Sequence, residues 1–144
     1  MSRQQLLTRL KTKGYKLTQQ RQQILEILLT TTSRLSALEV HRLLQKRQVK
    51  ISLDTVYRNL RLLVEIGALQ QISLQSGAVY ELVQQDQLHS HVICVDCEKV
   101  VCIPAGPALQ NSMELAGAAG FTILSHNMEI YGRCSGCSNN NSDC

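Results

Sequence analysis

The apolar residues of the first part of the chain recur with the spacing of short amphipathic helices. In QQLLTRLKTKG, Leu6, Leu7 and Leu10 fall on one helical face, and Gly14 follows as a stop signal. Thr18 can cap a second helix over QQRQQILEILLTTT, because its hydroxyl can accept a hydrogen bond from a backbone N–H of the first turn. The chain is therefore predicted to begin with two helices joined by a short connection.

Two further helices and a hairpin are predicted next. Ser36 and Glu39 form a capping-box pattern at the start of ALEVHRLLQKRQ, and Ser52 can cap SLDTVYRNLRLLVEIG, which ends at Gly67. LQQISL and AVYEL then alternate apolar and polar residues around QSG, which is typical of a β-hairpin. Helices followed by a hairpin are the element order of a winged helix-turn-helix.

The second part of the chain is predicted to be a small α/β domain. QQDQL is polar without a definable period, so the domain boundary is placed there. HVICV and KVVCI are predicted strands joined by DCE, PALQNSMELAGAAG is a predicted helix, and FTILSHNMEIYGRC is a predicted longer strand. The prediction is thus an α+β chain with a winged helix-turn-helix domain over 1–83, a hinge over 84–88, an α/β domain over 89–137 and a disordered tail over 138–144.

Charge separates the two predicted domains. Residues 1–83 carry 13 Lys/Arg against 5 Asp/Glu, a net +8, whereas residues 84–144 carry 2 against 6, a net −4. A basic domain suits a polyanion such as nucleic acid. No apolar run approaches the roughly 20 residues that cross a bilayer, and MSRQQLLTRLKTKG lacks the features of a signal peptide. We therefore expect a cytoplasmic protein with no membrane partner, in a compartment that keeps cysteines reduced.

The fourth predicted helix has two unlike faces. Its aliphatic face is formed by Leu53, Val56, Leu60 and Leu63, and its other side carries Asp54, Thr55, Tyr57, Arg58 and Arg61. Arginine can read guanine bidentately in the major groove, and Tyr and Thr can contact thymine methyl groups or phosphates. The alternative is an ordinary amphipathic helix with a solvated polar face. The helix-turn-helix-wing order and the basic charge favour binding of double-stranded DNA.

Cysteine pairs of the C-x-x-C type occur twice in the second part. Cys94 and Cys97 form the first pair, and Cys134 and Cys137 form the second. Four thiolates in a tetrahedral set are typical of a closed structural zinc site. The alternative is a redox dithiol or a disulfide pair, but the βαβ setting of such motifs is not predicted here.

Two histidines precede the first cysteine pair. His89 and His91 alternate along a predicted strand and share a face, while Cys94 lies on the opposite face, so the histidines need other partners. Glu81, near the end of the hairpin, and Cys102, near the end of the next strand, could complete a second set of four ligands. The alternative is a pair of solvated surface histidines.

From GYKLTQQR through SLDTVYRNLRLL and HSHVICVDC to EIYGRCSGC, the chain resembles the ferric uptake regulator family of bacterial metal-dependent repressors. The resemblance implies a winged-helix domain, a hinge and an α/β dimerisation domain, which act as a homodimer on a palindromic operator. It also implies that Tyr57 and Arg58 contact the operator, that Lys16 approaches the minor groove, and that Arg21 binds the DNA backbone.

The resemblance further implies two metal sites. Cys94, Cys97, Cys134 and Cys137 match the family's structural zinc site. Glu81, His89 and His91 match its regulatory site, where metal closes the domains into a shape competent for DNA.

Departures from the family pattern bear on the sensed metal. Arg34 and Cys102 stand where iron and peroxide sensors of the family place a histidine and a carboxylate. A further regulatory site of some relatives lacks its partners here, because Leu88 and Ser90 precede the paired histidines and leave His126 alone.

A four-coordinate site with thiolate, imidazole and carboxylate ligands favours zinc, whereas Fe(II) and Mn(II) prefer more oxygen ligands. We therefore expect a zinc-responsive repressor of metal uptake genes with a structural and a regulatory Zn(II). An iron-, manganese- or peroxide-responsive regulator is the alternative, as is a buried Cys102 with no ligand role.

Other function classes are less consistent with the sequence. A metal-dependent hydrolase or thiol oxidoreductase would require an open coordination position beside a general base, or a cysteine of low pKa. No Ser/His/Asp set or phosphate loop accompanies the cysteines. A single-strand binder would present aromatic residues on a sheet. A non-enzymatic, duplex-DNA-binding metalloprotein is the prediction.

Overall fold

The structure is a computed structural model that describes residues 2–83, 89–104, 106–123 and 126–139. The chain divides into two compact units, one made of Met1–Ser73 and Gly77–Val83 and the other of Leu74–Ser76 and Gln84–Cys144. The hinge predicted over 84–88 lies outside the described residues.

Four capped helices build most of the first unit. They are α1 (Arg3–Thr12), α2 (Gln19–Thr30), α3 (Ala37–Lys46) and α4 (Leu53–Glu65). The predicted caps are confirmed, because Thr18, Ser36 and Ser52 each accept a hydrogen bond from the backbone N–H three residues later. Glu39 completes the predicted capping box by accepting from the Ser36 N–H at 2.7 Å.

A three-stranded sheet completes the first unit. Its strands are β1 (Leu35–Ser36), β2 (Leu69–Leu74) and β3 (Gly77–Leu82), in the order β1-β3-β2. The predicted hairpin is present, whereas β1 was not predicted because two residues are too few to show a period. With α3 and α4 followed by this hairpin, the first unit is a winged helix-turn-helix.

The core of the first unit is aliphatic. Leu6 and Leu10 of α1 are buried, as are Val56, Leu60 and Leu63 of α4. Each such side chain contributes about 1.5–3 kcal/mol on burial. Leu53, the first residue of the predicted apolar face, is only partly buried. The packed side of α4 is therefore fixed, and its opposite side is left for contact.

A second three-stranded sheet forms the other unit. Its strands are β4 (His89–Cys94), β5 (Val100–Pro104) and β6 (Glu129–Gly132), and β4 lies in the middle. β5 is antiparallel and β6 is parallel to β4. Helix α5 (Pro107–Ala118) was predicted and is present, and a short helix α6 (Ser135–Asn139) follows β6.

The strand predicted over 121–134 is too long, because 121–123 and 126–128 are not strand and only β6 is; residues 124 and 125 lie outside the described residues. Apolar alternation continues along this segment, but a strand requires a hydrogen-bonding partner, and β4 pairs with β6 only from His91 to Cys94. Helix α6 also extends into the segment predicted to be a disordered tail. None of the helices in the described ranges has the length and hydropathy required to cross a membrane.

Candidate metal centres and DNA-binding surface

The strand topology brings the two cysteine pairs together. Cys94 ends β4 and is paired in register with Gly132 of the parallel strand β6, so the segments that follow both strands leave the sheet at the same end. Cys97 follows in the turn after β4, and Cys134 and Cys137 follow β6. The four sulfur atoms lie within 4.8 Å of one another. The sequence-predicted set is therefore assembled as one group.

One sulfur–sulfur distance in the group equals that of a tetrahedral zinc site. A Zn–S distance of about 2.3 Å implies that two thiolates of a tetrahedron lie about 3.8 Å apart. The sulfur atoms of Cys97 and Cys134 are 3.8 Å apart. Cys94, Cys97 and Cys134 are free thiols, whereas Cys137 is disulfide-bonded in this structure, so only the reduced chain offers four thiolates.

Backbone groups around the cluster stabilise a thiolate. The Cys134 N–H donates to the Cys94 sulfur at 3.3 Å. This bond, with others from the backbone of Cys97 and Asp96, lowers the pKa of Cys94 to about 6. Asp96 also forms an ion pair with Arg133 at 3.0 Å, which joins the turn of the first pair to the residue before the second.

The second group is formed across two antiparallel strands. His89 and His91 point to one side of β4, and their rings meet edge to face with centroids 5.0 Å apart. Cys102 of β5 lies directly opposite His91 in the register. One ligand atom from each of the three lies within 4.8 Å of the others. His91 is fully buried and Cys102 is exposed.

Glu81, the fourth predicted ligand of this group, belongs to β3 of the first unit. Its carboxylate oxygen lies 2.8 Å from Nε of Arg34, and both side chains are partly buried. Arg34 therefore balances the charge of the Glu81 carboxylate.

The predicted DNA-reading residues lie mostly on open surface. Tyr57, Arg58 and Arg61 of α4 are exposed, as is Lys16 in the connection between α1 and α2. Thr55 is half-buried, and its hydroxyl lies 2.8 Å from that of Ser52. These positions give α4 a continuous polar side opposite its packed side.

Arg21, predicted to bind the DNA backbone, donates to two acceptors of its own chain. Its Nε donates to Oδ1 of Asn59 at 3.0 Å, and its Nη1 donates to the Lys16 carbonyl. Asn59 is a buried polar residue that the sequence reasoning missed. The available signal was its place beside Val56 and Leu60 on the apolar side of α4, where an amide requires a partner.

Comparison with known proteins identifies relatives over nearly the whole chain. The model of the ferric uptake regulator family matches residues 12–131. The ferric uptake regulation protein of Synechococcus elongatus is 33% identical over 135 residues, which cover 92% of both chains. The peroxide operon regulator of Bacillus subtilis is 34% identical over 134 residues, which cover 92% of this chain and 90% of that protein.

A solved structure agrees with these matches. The ferric uptake regulator of Helicobacter pylori, described as having three functional metal binding sites, superposes with a TM-score of 0.70 at 25% identity. The match covers 99% of this chain and 97% of that one. With its winged helix, its polar α4 face and its two groups of side chains that could hold a metal ion, this chain belongs to the ferric uptake regulator family of metal-responsive, DNA-binding transcription regulators.

Proposed function

We propose that the protein is a zinc-responsive transcriptional repressor that acts in the cytoplasm as a homodimer on a palindromic operator of metal uptake genes. The observation that carries the zinc assignment is Cys102, which lies opposite His91 and supplies sulfur to the second donor group. Soft thiolate and imidazole ligands favour Zn(II), whereas Fe(II) and Mn(II) favour oxygen-rich sites.

A structural Zn(II) is proposed for Cys94, Cys97, Cys134 and Cys137. Bound there, zinc would supply no catalysis and would cross-link the ends of β4 and β6. Support comes from the spacing of the sulfur atoms and from the backbone N–H groups that donate to Cys94.

A regulatory Zn(II) is proposed for His89, His91 and Cys102, with Glu81 as the fourth ligand. Neutral imidazoles, a thiolate and a carboxylate together make a four-coordinate site of the kind that zinc accepts. Arg34 holds Glu81 through an ion pair, so metal that takes this carboxylate competes with a guanidinium. The alternative is an iron-, manganese- or peroxide-responsive regulator. In its support, a ferric uptake regulation protein and a peroxide operon regulator are 33% and 34% identical to this chain.

DNA contact is proposed for the polar side of α4. Tyr57, Arg58, Arg61 and Thr55 would face the major groove, and Lys16 would approach the minor groove. The net charge of +8 over residues 1–83 supports attraction to phosphates. Arg21 is proposed to bind the DNA backbone, and it also donates to two acceptors of its own chain.

Dimerisation is proposed through the second sheet. Val101 of β5 and Ile130 of β6 are both in register with Val92 of β4, which makes one apolar row across the sheet. Val101 and Ile130 are exposed, as are Leu115 and Phe121. Apolar surface of this kind in one chain favours burial against a second copy.

The deciding experiment is a metal titration of DNA affinity. Reduced protein that holds only its structural zinc is titrated with Zn(II), Fe(II) or Mn(II), and operator affinity is measured. Zn(II) should tighten binding roughly 5–150-fold, the usual range for coupling between two sites. Alanine at His89 or His91 should abolish this gain, whereas His126→Ala, the matched control, should preserve it. A larger gain with Fe(II) or Mn(II) would overturn the zinc assignment.

The sulfur ligand is tested separately with cobalt. Co(II) bound at the second site should give an intense sulfur-to-metal absorption, which Cys102→Ser should remove. The same change should weaken Zn(II) more than Mn(II), because a hard oxygen replaces a soft sulfur. An unchanged cobalt spectrum would remove Cys102 from the ligand set.

A further inference from the structure

Arg21, which is half-buried, connects two parts of the proposed DNA-binding surface. Its Nε donates to Oδ1 of Asn59 in α4 at 3.0 Å. Its Nη1 donates to the backbone carbonyl of Lys16. Arginine donors have a fixed planar arrangement, so both bonds constrain the same guanidinium plane. The Lys16 backbone and α4 are thereby joined through one side chain.

Asn59 cannot itself be a DNA contact, because only 8% of it is exposed. Its amide is nevertheless satisfied on both sides. Nδ2 donates to the Thr55 carbonyl at 2.8 Å, and Oδ1 accepts from Arg21. A buried amide without partners would be costly, so the Asn59 side chain is held in one orientation and in turn orients Arg21.

The connection that Arg21 holds is short and lacks regular structure from Tyr15 to Thr18. The Tyr15 N–H donates to the Leu10 carbonyl at 2.9 Å, and the guanidinium of Arg21 lies 6.0 Å from the centre of the Tyr15 ring. Partial burial lowers the pKa of Arg21, because removal from water disfavours the charged guanidinium. Lys16 itself remains exposed.

We propose that Arg21 and Asn59 are a positioning pair that fixes the backbone of Lys16 relative to α4, so that both reach DNA as one preorganised surface. The inference rests on the proposed function insofar as Lys16 and α4 are the DNA contacts. Its structural half, the ordering of the connection by the pair, concerns the free protein alone. Preorganisation saves the cost of ordering a contact when the partner binds.

The first test uses free protein, without DNA. Backbone order parameters from ¹⁵N relaxation are measured for Lys16 and Leu17 in wild type, Asn59→Ala and Arg21→Lys. Both variants should lower the order parameters from the rigid range near 0.85 toward the flexible range below about 0.6, since Lys keeps the charge but loses the planar donors. Gln20→Ala, an exposed neighbour on α2, is the control and should change nothing. Unchanged order at Lys16 in Asn59→Ala would overturn the proposal.

The second test is a double-mutant cycle on operator DNA. Lys16→Ala should weaken binding and reduce the slope of log affinity against log salt by about one. Asn59→Ala removes no charge, yet it should reduce the slope of log affinity against log salt by a similar amount. Adding Lys16→Ala to Asn59→Ala should then weaken operator binding little further. Additive losses would overturn the proposal, because Lys16 would reach DNA without the pair.

The two failures are distinguishable. If Lys16→Ala leaves affinity and salt slope unchanged in the wild-type background, the proposed DNA contact of Lys16 is wrong, and the order parameters alone decide the positioning pair. Thermal unfolding of Asn59→Ala and Arg21→Lys shows whether each variant is folded, so that loss of the Arg21–Asn59 hydrogen bond can be distinguished from unfolding. Arg21→Lys provides the measurement if Asn59→Ala does not fold.

Discussion

Asp54 restrains Arg58 in the free protein, and removing it should tighten DNA binding. Nη2 of Arg58 lies 2.9 Å from Oδ2 of Asp54, one turn earlier on α4. The two side chains are 78% and 68% exposed, so water screens the pair strongly. If Arg58 contacts a base, this ion pair has to open first. Asp54→Asn removes the pair and keeps the size of the side chain.

The magnitude follows from the exposure and spacing of the pair. A solvent-exposed pair four residues apart on a helix is worth about 0.3–0.5 kcal/mol, so its loss should tighten operator binding roughly twofold. Arg58→Ala should weaken operator binding by about 1–3 kcal/mol, a factor of roughly 5–150. Asp54 also lies in the first turn of α4, and its charge stabilises that helix end by about 0.3–1 kcal/mol.

The assay is fluorescence anisotropy on operator and random duplexes at several salt concentrations. Glu65→Gln is the matched control, because it removes one exposed carboxylate from the other end of the same helix. On operator DNA, Asp54→Asn should increase the affinity more than Glu65→Gln does. This difference in affinity gain should vanish in the Arg58→Ala background. Equal gains from Asp54→Asn and Glu65→Gln would refute the restraint. Equal losses on both duplexes for Arg58→Ala would show that Arg58 contacts only phosphate.

Three further predictions concern metal, pH and backbone. Cys94→Ser should lose the chelation-resistant zinc and dimerise poorly by analytical ultracentrifugation, and a zinc-free dimeric variant would contradict the structural site. The hydrogen bond from the Ser36 backbone N–H lowers the folded-state pKa of Glu39. Ionised Glu39 therefore stabilises the fold above its ordinary pKa of 4.5, and this contribution is lost as the pH falls through the folded-state pKa. Glu39→Gln should therefore flatten the acid side of the unfolding free energy measured with denaturant, and an unchanged slope would contradict this. Gly67 has φ +68, so Gly67→Ala should lower the unfolding free energy by about 1–2 kcal/mol, whereas a neutral change would contradict strain there.

Local features of the fold could be predicted from the sequence. The helix caps at Thr18, Ser36 and Ser52 involve residues three positions apart, and the buried face of α4 follows from a period of 3.6 residues. Such interactions are encoded within one or two turns of chain. β1 was missed and β6 was overextended, because strand length depends on a partner distant in sequence.

The donor types of both metal groups were likewise evident from the sequence, since cysteine and histidine bring their chemistry with them. Period-two alternation was sufficient to separate His89 and His91 from Cys94. It did not determine which distant residues would join each set. The parallel pairing of β4 with β6 brings Cys134 to Cys94, and the antiparallel register sets Cys102 against His91.

Arg21 shows most directly what only the tertiary structure decided. From the sequence it is one of 13 basic residues in a domain of net charge +8, and a phosphate is its natural partner. In the fold, the buried residue Asn59, which lies 38 positions after Arg21 in the chain, accepts a hydrogen bond from Arg21 through its amide oxygen. Residue type determines which bonds a side chain can make, but packing determines which acceptor is within reach, and a buried acceptor left unpaired costs about 1–3 kcal/mol.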